Sequence, residues 1–516
     1  MKVEINGDVG VVAVGIKTGL ILPDDDIGDI ALASVADVVE DGDIICVTES
    51  VVARSQNRYL TCEELADDIR QKLSLRPGAT LAVISPIVSR NRFALILRAI
   101  ARATDRGRVI IQLAIPDDEV GNQVLDRDVA TTRLRLKRIF DRLQEIRGNT
   151  PHMNVLIREV LAALKLQEIG YRVIGIRKIT GQGMADVTVR DPDGRVISVE
   201  VGFGDLESTA KKALGIMRDA DTDGAFAVAV DLQGHRIAMA DAVACRDGSL
   251  KDAMVAEMNF TEQLSVYRDP DCLYFDELSN LSFSHPITGM DYPRLYRDVV
   301  TAQDAEVDIL FTNNPLKVFD RGFVDGIVIG AVHERHELKD LFLSFGTQTP
   351  LVTIQEIGPE PWGVIGSNVS HNEKGILKLL PDNPDETADD IKQKILSETG
   401  RSVEVLIFGD GAYKDPDTGI YELADPHPAI GCSSGLRGAS LRTGTKLKLQ
   451  VETLFRAGHS REEIRRILDS GEDVVSRESL GTTPRSVTAI LGTLADLTAG
   501  SADAGTPIVL VRNFSF

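Results

Sequence analysis

From Val3 to Arg108, short apolar runs rich in β-branched residues alternate with stretches of helical spacing. IICVTESVVAR (Ile44 to Arg54) opens as a buried strand, Glu63 to Leu73 repeats its apolar positions as a helix does, and TLAVISPIV (Thr80 to Val88) is strand-like again. RFALILRAIARA (Arg92 to Ala103) predicts an amphipathic helix and VIIQLAIP (Val109 to Pro116) the next strand. PDDEVGN (Pro116 to Asn122) then turns the chain with polar chemistry. This alternation predicts an α/β (α+β) fold with packed layers.

The pattern changes between Asp128 and Asp269. A basic helix, Thr131 to Asn149, is followed by an amphipathic one, Met153 to Gly170, with glycine placed as a stop. The runs ADVTVRD and VISVEVGFG flank Pro192-Asp193-Gly194, the residue types a tight hairpin demands. A helix with Lys211 and Lys212 and a strand, Ala225 to Asp231, follow. From Cys272 the alternation resumes through VDGIVIGAVH, PLVTIQEI, an acidic helix and VEVLIFGDG (Val403 to Gly411); Ser460 and Glu463 form a capping-box signature. The organisation expected is a core in two parts, 1–127 and 270–516, interrupted by a mixed α/β module at 128–269.

Length and composition limit the function. At about 150 residues per domain, 516 residues suggest some three domains, and 43% hydrophobic with 26% charged residues is a folding composition. The net charge of −21 opposes attraction to nucleic acid or anionic lipid over the chain as a whole. Five scattered cysteines match neither a disulfide framework nor a zinc site. MKVEINGDVG lacks a secretory pattern and no apolar run is long enough to span a bilayer, so the expected location is the cytoplasm, without membrane contact.

The densest polar constellation is LIFGDGAYKDPDTGIYELADPHPAIG, Leu406 to Gly431. Asp410 lies where an apolar strand runs into a loop marked by Gly409 and Gly411, the edge at which open α/β sheets place ligands. Lys414, Asp415, Asp417, Glu422 and Asp425 follow within that loop; hard oxygen ligands beside a cation suit Mg²⁺ with phosphate, while a solvated turn-rich loop uses the same residue types. A second small-residue loop, WGVIGSNVS, places Gly366, Ser367 and Asn368 where backbone N–H groups can approach a phosphate or metal. HERHE (His333 to Glu337) spaces two histidines for a metal on a helix but lacks the HExxH order, and the same residues suit a solvated helix start. P-loop, GxSxG and Cys-His nucleophile signatures are absent.

Within 128–269, Glu159 on a helix, Asp186 on one strand and Glu200 on the next are similar to the restriction-endonuclease-like nuclease core, whose carboxylates hold Mg²⁺. Here the tripeptide reads Glu200-Val201-Gly202, with glycine where that core carries lysine, so the resemblance implies a degenerate metal site unless Lys211 or Lys212 substitutes. Contact with nucleic acid is expected only through this module.

Outside the module the chain resembles the gamma-glutamyl ligase family of the deazaflavin coenzyme F420. GIKTGLILPDDDI (Gly15 to Ile27) with EDGDIICVTESVVARSQNR (Glu40 to Arg58) looks like that family's opening; GSNVS before KLLPDNPDETADDI (Lys378 to Ile391) is similar to its SN element and Pro-Asp run. FGDGAYKDP with ELADPHPAIG, and the closing ADLTAGSADAGTPIVLVRN (Ala495 to Asn513), keep the order. The resemblance implies Asp410 and Asp425 as metal ligands, Lys414 and Glu422 as catalytic groups, and Gly366, Ser367, Asn368, Gly409 and Gly411 around the nucleotide. It also implies GTP as co-substrate, Mg²⁺ or Mn²⁺ with K⁺ as a further candidate, and a homodimer. The reaction implied is an amide ligation, L-glutamate adding to a carboxylate of a small molecule through an acyl phosphate. Val364, Ile365 and Gly366 stand where the family has an aspartate before its SN pair, and the DEVGN loop has no place in the shortest members. The alternatives are a non-catalytic nucleotide- or coenzyme-binding regulator on the same scaffold, and a nuclease-like module.

Overall fold

The computed structural model describes residues 10–125, 151–244, 254–259, 272–275, 283–285, 289–409, 427–440, 446–470, 486–500 and 505–514, apart from 178, 181–182, 204 and 232–235. They form two units, one built from residues before 62 and after 357, the other from 62–357. Elements are numbered along the whole chain.

The first unit is organised by a five-stranded sheet in the order β1 (Val12–Ile16), β22 (Ile508–Arg512), β2 (Ile44–Thr48), β20 (Glu404–Phe408), β21 (Ala429–Cys432). Strands β2 and β20 are parallel, so both carboxyl ends lie on one edge. Helix α12 (Val487–Ala499) covers one face, packing Leu491 and Ala495 against Cys46, Leu406 and Val509. Helices α1 (Ile27–Val35) and α9 (Pro384–Thr399) pack on each other, and α9 also contacts β20 and β21. A glycine is required at 431, because a Cβ there would lie 2.7 Å from the Pro384 backbone at the head of α9. A smaller sheet orders β18 (Asn368–His371), β19 (Ile376–Lys378) and β3 (Tyr59–Thr61). Helix α2 (Glu49–Ser55) follows β2 directly, and α10 (Leu447–Arg456) packs on α11 (Arg461–Ser470). The Ser460–Glu463 capping box forms in both directions: Ser460 N donates to Glu463 at 2.8 Å and Glu463 N to Ser460 Oγ at 3.3 Å.

The second unit carries two six-stranded sheets. The first runs β14 (Leu273–Tyr274), β15 (Glu306–Phe311), β5 (Arg108–Leu113), β4 (Thr80–Ile84), β16 (Gly326–Ile329), β17 (Leu351–Thr353), parallel throughout except for β14. Its helices are α3 (Cys62–Leu73), α4 (Phe93–Ala103), α7 (Tyr292–Thr301) and α8 (Arg335–Phe345). Near-continuous apolar strands such as Leu81 to Ile84, all fully buried, are what a sheet covered on both faces requires. The second sheet runs β13 (Met254–Asn259), β12 (Arg236–Asp241), β11 (Gly224–Asp231), β10 (Val196–Gly202), β9 (Val187–Arg190), β6 (Arg172–Ile176), with a small ribbon, β7 (Ile179–Thr180) and β8 (Gly183–Met184), beside it. Its strands lie inside the 128–269 interval, and the unit that contains it extends to 62 and 357. Helix α5 (Pro151–Glu168) packs Leu161 and Leu164 against Val187, Val199 and Val228. Helix α6 (Leu206–Ala220) approaches through alanines, Ala210 and Ala213 on Ala225 and Ala227. The basic helix expected over 131–149 lies outside the described residues.

The loop after β5 is pinned by Asp118, whose carboxylate accepts N–H bonds from Val88 (2.9 Å), Val120 (3.1 Å) and Asn122 (2.8 Å). Burial outweighs these donors and pushes its pKa up to about 6 from an ordinary 3.8. Between those values the folded state holds a proton that the unfolded chain has lost, so folding stability falls as pH rises from about 4 to 6 and is level above. A change of up to about 3 kcal/mol is expected from a shift of this size. Urea unfolding of wild type and Asp118→Asn across that range checks it: the stability difference between them should move against wild type as pH rises, whereas parallel curves would refute the assignment.

Candidate functional site

The parallel register of β2 and β20, Ile44 opposite Glu404 through Thr48 opposite Phe408, ends both strands at one place. Glu49 begins α2 directly after Thr48, and buried Gly409 follows Phe408. Gly409 N donates to Pro428 O at 3.1 Å, which holds residues 409 and 428 together. Asp410, Gly411, Lys414, Glu422 and Asp425 fall between these two residues in sequence and lie outside the described residues.

At the same edge the structure assembles a group that sequence reasoning missed. Lys378 stands opposite both Asn368 and Tyr59 in the small antiparallel sheet, so the three share a face. Its Nζ reaches the two Glu49 carboxylate oxygens at 2.7 and 2.9 Å and Ser50 Oγ at 2.6 Å. Lys378 and Glu49 are buried, 8% and 3% exposed, and an ammonium has three donors, each of which is used here. Ser50 accepts from the ammonium and keeps its own hydroxyl hydrogen to donate. Glu49 sits inside a motif singled out in the sequence, but its partner is 329 residues away and no local spacing announces it.

The SN loop is shaped for close packing. Gly366 has φ +64°, and a Cβ on it would lie 2.9 Å from Leu380, so conformation and space both demand glycine. Ser367 is 1% exposed, and its Oγ is buried without a hydrogen-bond partner, the kind of deficit that a ligand or water removes. Asn368 Oδ1 accepts from Val369 N at 2.8 Å. Gln56 ties this region to the Pro-Asp run: Asp382 N donates to Gln56 Oε1 at 2.8 Å and Gln56 Nε2 to Asp382 O at 3.0 Å.

In the second unit, Glu159, Asp186 and Glu200 are drawn towards one group of charges. Glu159 is fully buried and accepts two bonds from Arg177, both 2.8 Å. Asp186 Oδ2 accepts from Val201 N at 2.9 Å, and Lys212 forms ion pairs with Glu200 and, at 3.8 Å, with Asp186. Burial raises the Glu200 pKa. Burial also pulls Lys212 down, but its bond to Glu200 and the Asp186 charge outweigh that and raise it, so the lysine stays cationic. Lys211 instead pairs with exposed Glu207 at 3.0 Å. The glycine at 202 has a steric reason: a Cβ there would lie 2.0 Å from Thr209 Oγ1 on α6. A lysine cannot occupy 202 with α6 so close, and α6 itself delivers Lys212 to the acids. Gly202→Ala is therefore expected to cost about 1–3 kcal/mol of stability, with Thr209→Ala in the same chain recovering part of it; thermal unfolding of both variants checks this. No three His, Cys, Asp or Glu among the described residues are arranged to hold a metal ion. His333 and His336 sit at the start of α8, where the backbone N–H groups of 332–334 donate to Glu119.

The profile of the F420-0:gamma-glutamyl ligase family matches residues 15–513. The chain belongs to that family. Its members are ligases, and the family name assigns the addition of glutamate in coenzyme F420 biosynthesis. No curated protein matches the chain significantly. The mixed α/β architecture agrees with the fold expected for a ligase of this family. No helix among the described residues is long and apolar enough to cross a membrane.

Proposed function

We propose that the protein joins L-glutamate to a carboxylate of a small deazaflavin-type acceptor, with GTP as the energy source. The match of the gamma-glutamyl ligase family over residues 15–513 carries this reading. Amide formation from a carboxylate in water is uphill, so the acid needs a leaving group. An acceptor carboxylate oxygen attacks the γ-phosphorus of GTP, GDP departs, and an acyl phosphate forms; the glutamate amine then attacks the acyl carbon and inorganic phosphate leaves, with the amine's proton passing to solvent or a base.

The edge formed by β2 and β20 supports this assignment. The buried Lys378–Glu49 pair fixes Ser50, and Ser50's hydroxyl hydrogen is available to a phosphate oxygen. Ser367 offers a buried hydroxyl that lacks a partner. Asp410 and Asp425 are the proposed ligands of Mg²⁺ or Mn²⁺, and a bound divalent ion would supply neutralisation of the triphosphate. Lys414 is proposed to pair with the transferring phosphoryl group and Glu422 to take the amine proton.

Calorimetry with GTP or ATP, in Mg²⁺ or Mn²⁺ and then in EDTA, tests the reading. GTP binding that disappears with EDTA is expected. Absence of binding by either nucleotide under every metal condition would move the function to a non-catalytic scaffold.

A further inference from the structure

The small sheet of the first unit has a second face. In an antiparallel sheet, residues directly opposite one another share a face, and successive rows alternate between the two faces. The row of Tyr59, Lys378 and Asn368 faces Glu49 and Ser50, which the Lys378 ammonium reaches. The rows on either side of it turn the other way. One holds Leu60, Leu377 and Val369; the other holds Arg58, Leu379 and Ser367. This last row lies just beyond the strands, and two observations carry the ladder through it. Leu379 N donates to Arg58 O at 2.9 Å, and a Cβ on Gly366 would lie 2.9 Å from Leu380, one row further on.

The segment 358–364 covers this second face. A Cβ on Gly358 would lie 3.4 Å from the Leu60 side chain and 3.2 Å from that of Val364, so the segment rests on the row that Leu60 begins. Tight backbone bonds then wind it back to the strand: Gly363 N to Pro359 O at 2.9 Å, Ile365 N to Trp362 O at 3.1 Å and Ser367 N to Val364 O at 3.2 Å.

The face and its cover contribute three polar atoms that are buried without a hydrogen-bond partner among the described residues: Arg58 Nε, Trp362 Nε1 and Ser367 Oγ. Buried polar groups are nearly always paired, so three such atoms around one small sheet call for a common partner. All three donate, the guanidinium and indole groups cannot accept, and the guanidinium is always a cation. The group that satisfies them is therefore an anionic oxygen. Ser367 is 1% exposed, whereas Arg58 and Trp362 are half-buried and stand at the surface end of the site. The phosphate-bearing substrate is already assigned to the opposite face, beside Ser50, and the other anions a ligase handles are carboxylates.

We propose that Arg58, Trp362 and Ser367 bind a carboxylate of one of the two acids that the ligase joins, L-glutamate or its acceptor. The charge of the ligand follows from the three donors; its identity as a ligase substrate rests on the function proposed above. Ser367 adjoins Asn368, whose row holds Lys378, so the carboxylate is anchored one residue along the strand from the group that orients Ser50.

Trp362 is the single tryptophan in the chain, so the intrinsic emission of the full-length protein reports on this site. L-glutamate, L-glutamine and a deazaflavin acceptor lacking glutamate would be titrated with and without GDP and Mg²⁺, the amino acids to about 10 mM, ten times the upper end of ordinary KM values. A saturable change with at least one acid is expected in wild type. Arg58→Met and Ser367→Ala should each raise its Kd about tenfold or more, the scale of a lost hydrogen bond to a charged group, with Arg58→Lys recovering part. GTP affinity should be unchanged in Arg58→Met. Ser367→Ala without ligand should unfold at the wild-type temperature or above it, since it deletes an unpaired buried atom, and weaker binding without weaker folding marks a ligand contact. A stronger response to L-glutamate than to L-glutamine places the side-chain carboxylate here, an equal response the α-carboxylate, and a response confined to the acceptor places the acceptor's acid. No response to any acid, or equal affinity in wild type and Arg58→Met, would overturn the proposal. Amide formation without such a response removes the site and leaves the ligase reading standing; a response without amide formation does the reverse.

Discussion

Lys378→Met is expected to destabilise the protein by about 3–5 kcal/mol, because it removes one partner of a buried ion pair, the ammonium that donates to both Glu49 carboxylate oxygens. Glu49 is 3% exposed and receives two bonds from the Lys378 ammonium, so methionine would fill the space without replacing the charge. Glu49→Gln combined with Lys378→Met removes both charges together, and a buried pair replaced in that way often costs little. The double variant should therefore recover most of the lost stability, which urea unfolding measures. Turnover should not return with it, since Ser50 has lost the 2.6 Å bond that orients its hydroxyl. Recovery of both stability and turnover would reduce the pair to a structural element.

Asp410→Asn is expected to lower turnover roughly 100- to 1000-fold, the scale on which single charge-stabilising groups act in transferred-phosphate or acyl chemistry. Gly409, immediately before Asp410, follows β20, which ends beside the strand that leads into Glu49, and its N–H donates to Pro428 O. Asp410 belongs to a polar, glycine-flanked stretch of the sequence rather than to an apolar run, so thermal stability without nucleotide is expected to change by less than about 0.5 kcal/mol. Metal-dependent GTP binding should weaken in the same variant. Full turnover by Asp410→Asn would remove this residue from the metal site.

How far the sequence was legible depended on the range of the interactions. The hairpin at Pro192-Asp193-Gly194 and the Ser460–Glu463 capping box were readable because both are closed by residues next to one another, and both form. The alternation around Thr80 and Val109 marked buried strands correctly, since period and apolar content are local. Strand order is not local: nothing near Ile84 says that Ile329 will lie beside it. The same holds for Lys378, an ordinary lysine in sequence, which becomes a buried partner of Glu49 only through the register of β18, β19 and β3. Gly202 read as the loss of a lysine, and its reason, the Thr209 side chain pressed against it, lies in tertiary packing. The SN loop was recognised from its residue types, and Gly366 has the positive φ such a loop needs, but the orphaned Ser367 hydroxyl could be found only in three dimensions.

The reaction itself decides whether this chain is a ligase. The full-length protein would be incubated with a deazaflavin acceptor lacking glutamate, L-glutamate, GTP and Mn²⁺ or Mg²⁺, with product mass and released phosphate measured together. The expected result is acceptor enlarged by glutamate residues, with one phosphate released for each amide formed and neither product seen in EDTA. Binding of GTP with metal but no glutamate addition and no phosphate release, with any carboxylate acceptor supplied, would contradict the assignment of ligase chemistry to this chain.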